Sequence, residues 1–288
     1  MDSNAEYRME KKSKTNPGQL LEFAPDSYLD RTSRPIYAMA YLLGFLVLYE
    51  IGTIAISPEV LTQSLTSQQI RVVSFLWLQQ FATEILQFSP RMAWLVTPLI
   101  VVMILLAMQI TSRKSWKVRF GDFIPMTIEC VLLAMPLIAL SLFLNRVPAA
   151  NSAIVTPCTT MVPSSPPQLL VDIVTGIGAG IYEELIFRLI LISLLMLFFQ
   201  DFLKFTSKNA ILFSVLISAG LFSIHHHIFL LNGTFETGEV FTAARFIFRT
   251  AAGIYFAGIF ALRGFGIAAG AHAIYDIFAA ILNAIFME

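Results

Sequence analysis

Long runs of apolar residues, separated by short polar segments, occupy most of this chain. A helix that crosses a bilayer needs about 20 consecutive and mainly apolar residues. By this criterion the sequence predicts seven membrane spans, at residues 35–57, 92–110, 124–144, 168–199, 209–231, 241–262 and 265–287. The predicted fold class is therefore all-α, a polytopic membrane helix bundle of seven to eight transmembrane helices.

The segment at residues 66–88 has a different pattern, because polar residues interrupt its apolar positions. Apolar side chains recur there at helical spacing, with glutamines and a glutamate between them. This pattern is typical of an amphipathic helix that lies on the membrane surface or dips into it. A lateral gate for a lipid-embedded substrate is the functional alternative. The apolar positions are Ile70, Val73, Trp77, Phe81, Ile85 and Phe88.

The composition agrees with a membrane location. Hydrophobic residues make up 57% of the 288 residues and charged residues only 13%, whereas a soluble domain carries about 25% charged residues. Acidic and basic residues are equally numerous. No overall positive charge therefore favours a nucleic-acid partner, and membrane lipid is the expected environment.

The basic residues are distributed unevenly among the polar segments. Residues 1–34 carry six Lys/Arg, the loop at 111–122 carries four and the loop at 145–167 carries one. Positively charged loops tend to stay in the cytoplasm, so the N-terminus is predicted to be cytoplasmic. Residues 1–34 are predicted to form a flexible tail and residues 35–288 an integral membrane domain. The membrane would be the plasma membrane in a bacterium and the endoplasmic reticulum in a eukaryote.

Two adjacent glutamates, Glu183 and Glu184, lie inside the apolar stretch at 168–199, with Arg188 one turn later. Each such group costs roughly 2.5 to 3.5 kcal/mol near a bilayer midplane, so it usually faces a protein interior and marks a function. Residues four apart share a helix face, which predicts a pair between Glu184 and Arg188. Glu183 points about 100° away and is predicted to be the freer carboxylate, available as a general base.

All four histidines of the chain lie in later apolar segments, as His225 to His227 and His272. His272 and Asp276 are four residues apart, as are Phe222 and His226, so each pair shares a helix face. Taken singly, such groups are also explained by a buried ion pair and by interhelical hydrogen bonds. Together they predict one polar cavity among the fourth, fifth and seventh spans.

The order of these residues resembles a known family. The pattern Glu-Glu-x-x-x-Arg, then Phe-x-x-x-His, then His-x-x-x-Asn/Asp, each in a separate apolar helix, is similar to the CPBP family. That family contains CAAX proteases and bacteriocin-processing enzymes, among them the eukaryotic Ras-converting endopeptidase. The resemblance covers about Asp172 to Phe286 within a family-like core at 168–287. The second motif selects His226, and by its spacing His225 and His227 are misaligned.

The resemblance implies a glutamate-dependent intramembrane endopeptidase that needs no cofactor. Glu183 would activate a water molecule, with His226 sharing the proton. His272 and Asp276 would stabilise the oxyanion, although an Asp would help only indirectly or when protonated. The supporting residues are Glu184, Arg188 and Phe222. The implied substrate is a prenylated protein with a CAAX-type C-terminus or a peptide precursor.

Other functions are compatible with the same residues. One carboxylate and two histidines also form a plausible divalent-metal set, although no His-Glu-x-x-His spacing occurs. A non-catalytic membrane adaptor or bacteriocin-immunity protein could retain the fold and bind a partner. A transporter with a proton relay is a third possibility, but repeated hydropathy halves are not evident.

Overall fold

Seven helices in the described part of the structure are long and apolar enough to cross a membrane, which confirms the predicted all-α bundle. The computed structural model describes residues 23–56, 72–145 and 168–287. Its helices are α1 (Tyr28–Thr32), α2 (Pro35–Ile56), α3 (Val73–Glu84), α4 (Pro90–Ser112), α5 (Phe123–Asn145), α6 (Gln168–Phe202), α7 (Ser207–His225), α8 (Ala243–Arg263) and α9 (Phe265–Met287). A short hairpin, β1 (Ile228–Leu231) and β2 (Thr234–Thr237), follows α7.

Helix α9 lies at the centre of the bundle. Inside its most apolar window 61% of the residues are buried, whereas the other six spanning helices reach 22% to 39%. It packs against α2, α5, α6 and α8, most extensively against α6. Gly264 joins it to α8 with a φ of 83°, a left-handed conformation that glycine adopts without strain. The central helix is the one that carries His272 and Asp276.

Helices α6 and α9 approach closely because glycines of α6 face the contact. A Cβ atom on Gly180 would overlap the backbone of Ala273, and a Cβ atom on Gly176 would lie 2.7 Å from Cβ of Asp276. Membrane helices lack a hydrophobic force between them, so small residues that let backbones meet increase their packing attraction. The two glycines therefore set the separation between the glutamates of α6 and His272.

The fifth span ends earlier than predicted. The sequence predicts helix from 209 to 231, but α7 ends at His225 and the chain continues into the hairpin. Asn232 and Gly233 form its turn with φ values of 51° and 77°, the left-handed pair that two-residue hairpin turns require. The amide of Glu239 then donates to the carbonyl of His226 at 2.9 Å. The hairpin therefore returns the chain to the histidine segment.

Helix α3 covers part of the segment predicted to be amphipathic. The predicted residues 66–71 lie outside the described residues. Phe75 is fully buried and Gln79 nearly so, whereas Phe81 and Ile85 of the predicted apolar stripe are exposed. The indole Nε1 of Trp77 donates to the carbonyl of Leu230 in β1 at 2.8 Å. Helix α3 is thus held against the bundle by one face, and its position relative to the membrane surface stays a prediction.

The described part of the predicted tail, residues 23–34, packs against the segment between α4 and α5. Arg31 pairs with Asp122 at 2.9 Å and Lys114 pairs with Asp30 at 3.1 Å. The N-terminal segment and the basic loop consequently lie at the same end of the bundle, as the charge distribution requires. Which side of the membrane this end faces stays a prediction, and residues 1–22 lie outside the described residues.

The α6–α9 contact can be tested by substituting Gly180 with alanine. The added methyl group has no space against Ala273, and overpacking of this kind costs about 1 to 3 kcal/mol. We expect Gly180→Ala to lower the apparent melting temperature of the detergent-solubilised protein. Gly220→Ala is the matched control, because nothing lies within 4 Å of its Cβ position. Equal melting temperatures for the two variants would contradict the close approach.

Candidate active site

Helix α6 changes its winding between the two adjacent glutamates. It is α-helical from Gln168 to Glu183 and π-helical from Glu184 to Ile192. The hydroxyl of Ser218 in α7 donates to the carbonyl of Phe187 inside the π-helical segment at 2.6 Å. The sequence predicts a regular α-helix here. The hydrogen bond between α7 and α6 joins residues that are distant in the chain, and sequence periodicity gives no information about such contacts. Local π-helical turns are frequent at functional sites.

Glu184 connects α6 to α9 and forms the pair expected from its spacing. Its Oε1 accepts a hydrogen bond from Nδ1 of His272 at 2.7 Å and lies 3.2 Å from Nη1 of Arg188. Glu184 and Arg188 are both completely buried. Each of these two buried charges is stabilised mainly by the other. The loss of one would leave the other buried without a partner of opposite charge.

Arg188 also contacts the two helices that follow it in the chain. Its guanidinium carbon lies 4.2 Å from the centre of the Phe222 ring in α7, a favourable cation–π distance. Nη2 donates to the carbonyl of Gly253 in α8 at 3.5 Å. Among the described residues, Nε and Nη1 of Arg188 have no hydrogen-bond partner. Arg188 is therefore held mainly by its charge and ring contacts, in addition to this one hydrogen bond.

Glu183 faces three imidazole rings. Its Oε1 lies 3.6 Å from Nε2 of His225 and 3.9 Å from Nε2 of His226. Its Oε2 lies 3.9 Å from Nε2 of His272. Only 6% of the Glu183 side chain is exposed. These separations exceed the usual hydrogen-bond distance, so Glu183 is surrounded by polar nitrogen atoms that it does not contact directly.

His225 also belongs to this cluster, although the motif spacing selects His226 alone. Both His225 and His226 place Nδ1 near the carbonyl of Phe222, at 2.6 and 2.8 Å, and both direct Nε2 towards Glu183. Helix α7 ends at His225, and His226 is its C-cap with φ −74° and ψ −21°, so both rings lie at the helix end beside Glu183. The Asn232-Gly233 turn was the sequence signal for an early helix end. His227 instead places Nδ1 at 3.0 Å from the carbonyl of Glu239.

His272 and Asp276 lie together at the opposite side of Glu183. Nε2 of His272 is 3.5 Å from Oδ2 of Asp276. The His272 ring stacks on Phe256 of α8, with centroids 4.4 Å apart and 14° between the planes. The Asp276 side chain is 26% exposed and is thus more accessible than those of Glu183 and Glu184. Phe256 supports the imidazole, and none of the three sequence motifs includes this residue.

Aromatic residues enclose His225 on the side of α3. The ring of Phe187 lies 4.7 Å from the His225 ring and the ring of Trp77 lies 5.8 Å from it. Trp77 belongs to the segment for which the sequence leaves a gate as an alternative to a surface helix. Helix α3 therefore packs against the histidines, whether it is a surface helix or a lateral gate.

The geometry also offers a group of metal-ligand atoms. One donor atom from each of Glu183, His225 and His226 lies within 4.8 Å of the others. One carboxylate and two imidazoles are a frequent ligand set for catalytic zinc. This group has the composition that the sequence allows, one carboxylate and two histidines, and one of the histidines is His225.

The fold and the site define a polytopic all-α membrane protein with ionisable side chains clustered inside the bundle. Residues 165–278 match the protein-family model described as Type II CAAX prenyl endopeptidase Rce1-like. The match includes all three motifs, confirms the resemblance over this part of the chain and supports a CAAX-type membrane endopeptidase. It leaves α1 to α5 outside. Comparison with curated proteins and with solved structures gave no match.

The two glutamates should differ in their effect on stability. Glu184→Gln removes the negative charge that balances Arg188, and breaking a buried pair in this way costs about 3 to 5 kcal/mol. Glu183→Gln is the matched control, because its nearest imidazole nitrogens lie at 3.6 to 3.9 Å. We expect a clearly lower melting temperature for Glu184→Gln alone, measured in detergent. Equal losses for both variants would show that the two carboxylates do not have separate roles.

Proposed function

We propose that this chain is an intramembrane endopeptidase in which Glu183 activates a water molecule for attack on a peptide bond. The substrate is a lipidated CAAX-type C-terminus or a peptide precursor near the membrane. One observation carries the proposal: the carboxylate of Glu183 faces His225 and His226 from α7 and His272 from α9 inside a bundle of apolar helices. The family match supports the class of reaction.

The distances around Glu183 suit a bridging water. Separations of 3.6 to 3.9 Å between its oxygens and the imidazole nitrogens are too long for direct hydrogen bonds but can be spanned through one water molecule. Glu183 accepts the proton of that water as it attacks the carbonyl carbon. His226, whose side chain is 21% exposed, takes part in transferring the proton to the leaving amine.

His272 and Asp276 stabilise the negative charge that develops on the carbonyl oxygen. Nδ1 of His272 bonds to Glu184, so the ring can donate from Nε2 as well only in its doubly protonated form. Glu184, which also pairs with Arg188, accepts the hydrogen bond that orients this ring. Asp276, 3.5 Å from Nε2, donates to the oxyanion when protonated or otherwise orients the ring. Preorganised donors of this kind are often the largest single contribution to such catalysis.

Glu184, Arg188 and Phe222 act as positioning residues. Glu184 fixes the orientation of His272, and Arg188 fixes Glu184 while it contacts the Phe222 ring. The carbonyl of Phe222 in turn lies beside Nδ1 of both His225 and His226. Each histidine that faces Glu183 is therefore held through its second ring nitrogen, which determines how Nε2 points.

A metal-dependent hydrolysis is the second candidate, favoured by the donor atoms of Glu183, His225 and His226. In that case a bound divalent ion would supply the Lewis acidity and lower the pKa of its water. The three side chains would then be ligands, and none of them would be free to act as the base. The two mechanisms differ in their response to chelators and in their requirement for His225.

The proposed function is tested by cleavage of fluorogenic peptides, prenylated and unprenylated, by detergent-purified protein with and without a chelator. We expect Glu183→Gln to lower kcat by at least the roughly 10² to 10⁴-fold that general acid–base catalysis contributes, and the chelator to have no effect. Glu236→Gln is the matched control, because Glu236 lies exposed in the hairpin. It should retain wild-type turnover.

Other outcomes assign the site differently. Chelator-sensitive turnover that is also lost in His225→Ala would establish the metal-dependent route. Undiminished cleavage by Glu183→Gln would contradict the proposed base. If no peptide is cleaved and Glu183→Gln fully complements a cellular phenotype, the chain is a non-catalytic adaptor of the same fold.

A further inference from the structure

Arg249 lies on the face of α8 that is directed towards the candidate site. Gly253, four residues later, accepts a hydrogen bond from Arg188, and Phe256, seven residues later, stacks on His272. Positions separated by four and seven residues share one helix face. Arg249 also pairs with Glu239, whose amide donates to the carbonyl of His226. It is therefore a positive charge beside the site.

The guanidinium of Arg249 is only partly engaged. Its Nη2 pairs with Oε1 of Glu239 at 2.6 Å, and the side chain is 20% exposed. Nη1 is buried and has no hydrogen-bond partner among the described residues. A buried donor without a partner is unfavourable, and a guanidinium can bind a carboxylate through a pair of parallel N–H groups. The unused donor suits an incoming anion.

Glu239 fixes Arg249 relative to the histidines. The amide of Glu239 donates to the carbonyl of His226 at 2.9 Å, and its carbonyl lies 3.0 Å from Nδ1 of His227. The residue that holds Arg249 is thus attached to the segment that supplies His226. Arg245 differs, because it is 56% exposed and lies 3.8 Å from Glu239.

We propose that Arg249 binds the free C-terminal carboxylate of the peptide substrate and so makes the enzyme select bonds near a chain end. This inference rests on the proposed peptidase function. Seven helical residues between Arg249 and Phe256 rise about 10 Å, which an extended peptide spans in about three residues. In a CAAX sequence the four-residue box ends at the C-terminus. A carboxylate on Arg249 would place a bond of that box beside Glu183 and His272.

The test compares two versions of one fluorogenic peptide, with a free C-terminal acid and with a C-terminal amide. Full-length wild-type protein, Arg249→Met and Arg249→Lys are assayed in the same detergent. We expect the wild type to prefer the acid by roughly 10- to 100-fold in kcat/KM, mainly through KM, as charged hydrogen bonds contribute in proteins. Arg249→Met should bring the ratio close to one. Arg249→Lys should give an intermediate ratio, because lysine retains the charge without the paired N–H groups.

Arg245→Met is the matched control and should keep the wild-type ratio, because it removes an exposed positive charge from the same helix. A wild-type ratio near one, or a ratio that survives in folded Arg249→Met, would overturn the anchor while leaving the peptidase intact. Melting temperatures establish that each variant is folded.

Binding separates the anchor from catalysis. Fluorescence anisotropy of the labelled acid and amide peptides is measured with Glu183→Gln protein, with and without Arg249→Met. Preferential binding of the acid that disappears in the double variant supports the anchor, even if no preparation cleaves peptide and the peptidase proposal fails. Equal binding of acid and amide by Glu183→Gln protein contradicts the anchor.

Discussion

The buried pair of Glu184 and Arg188 is the interaction on which the rest of the site depends. Both side chains are completely withdrawn from solvent, and neither charge is tolerable there without the other. Glu184 reaches α9 through His272. Arg188 reaches α7 through the ring of Phe222 and α8 through the carbonyl of Gly253. One ion pair on α6 thus connects the four helices that surround the polar cluster.

Glu184 pairs with Arg188, whereas its neighbour Glu183 lies in a different environment. The change from α-helix to π-helix falls between the two residues, and Glu183 faces imidazole nitrogens at distances that a water molecule can bridge. The close approach at Gly180 brings His272 within reach of both carboxylates. Helix packing and the change in winding therefore place a structural carboxylate, Glu184, next to the carboxylate that we propose to be reactive, Glu183.

The sequence predicts well what depends on composition and local spacing. The seven apolar helices and the pair of Glu184 with Arg188 follow from hydropathy and from i,i+4 geometry. The motif spacing selects His226 and does not predict that His225 also faces Glu183, because both rings reach this carboxylate from the end of α7. The stacking of Phe256 on His272 and the π-helical segment arise from contacts between distant parts of the chain, which periodicity does not encode.

In the proposed mechanism Glu183 activates water and forms no covalent bond to the substrate. The most direct measurement is mass spectrometry after cleavage in ¹⁸O-labelled water, applied to the cleaved peptide and to the protein segment that contains Glu183. We expect ¹⁸O in the new carboxylate of the product after a single turnover and none in the Glu183 side chain after many turnovers. ¹⁸O in Glu183 would reveal an acyl intermediate on that residue and would overturn its role as a general base.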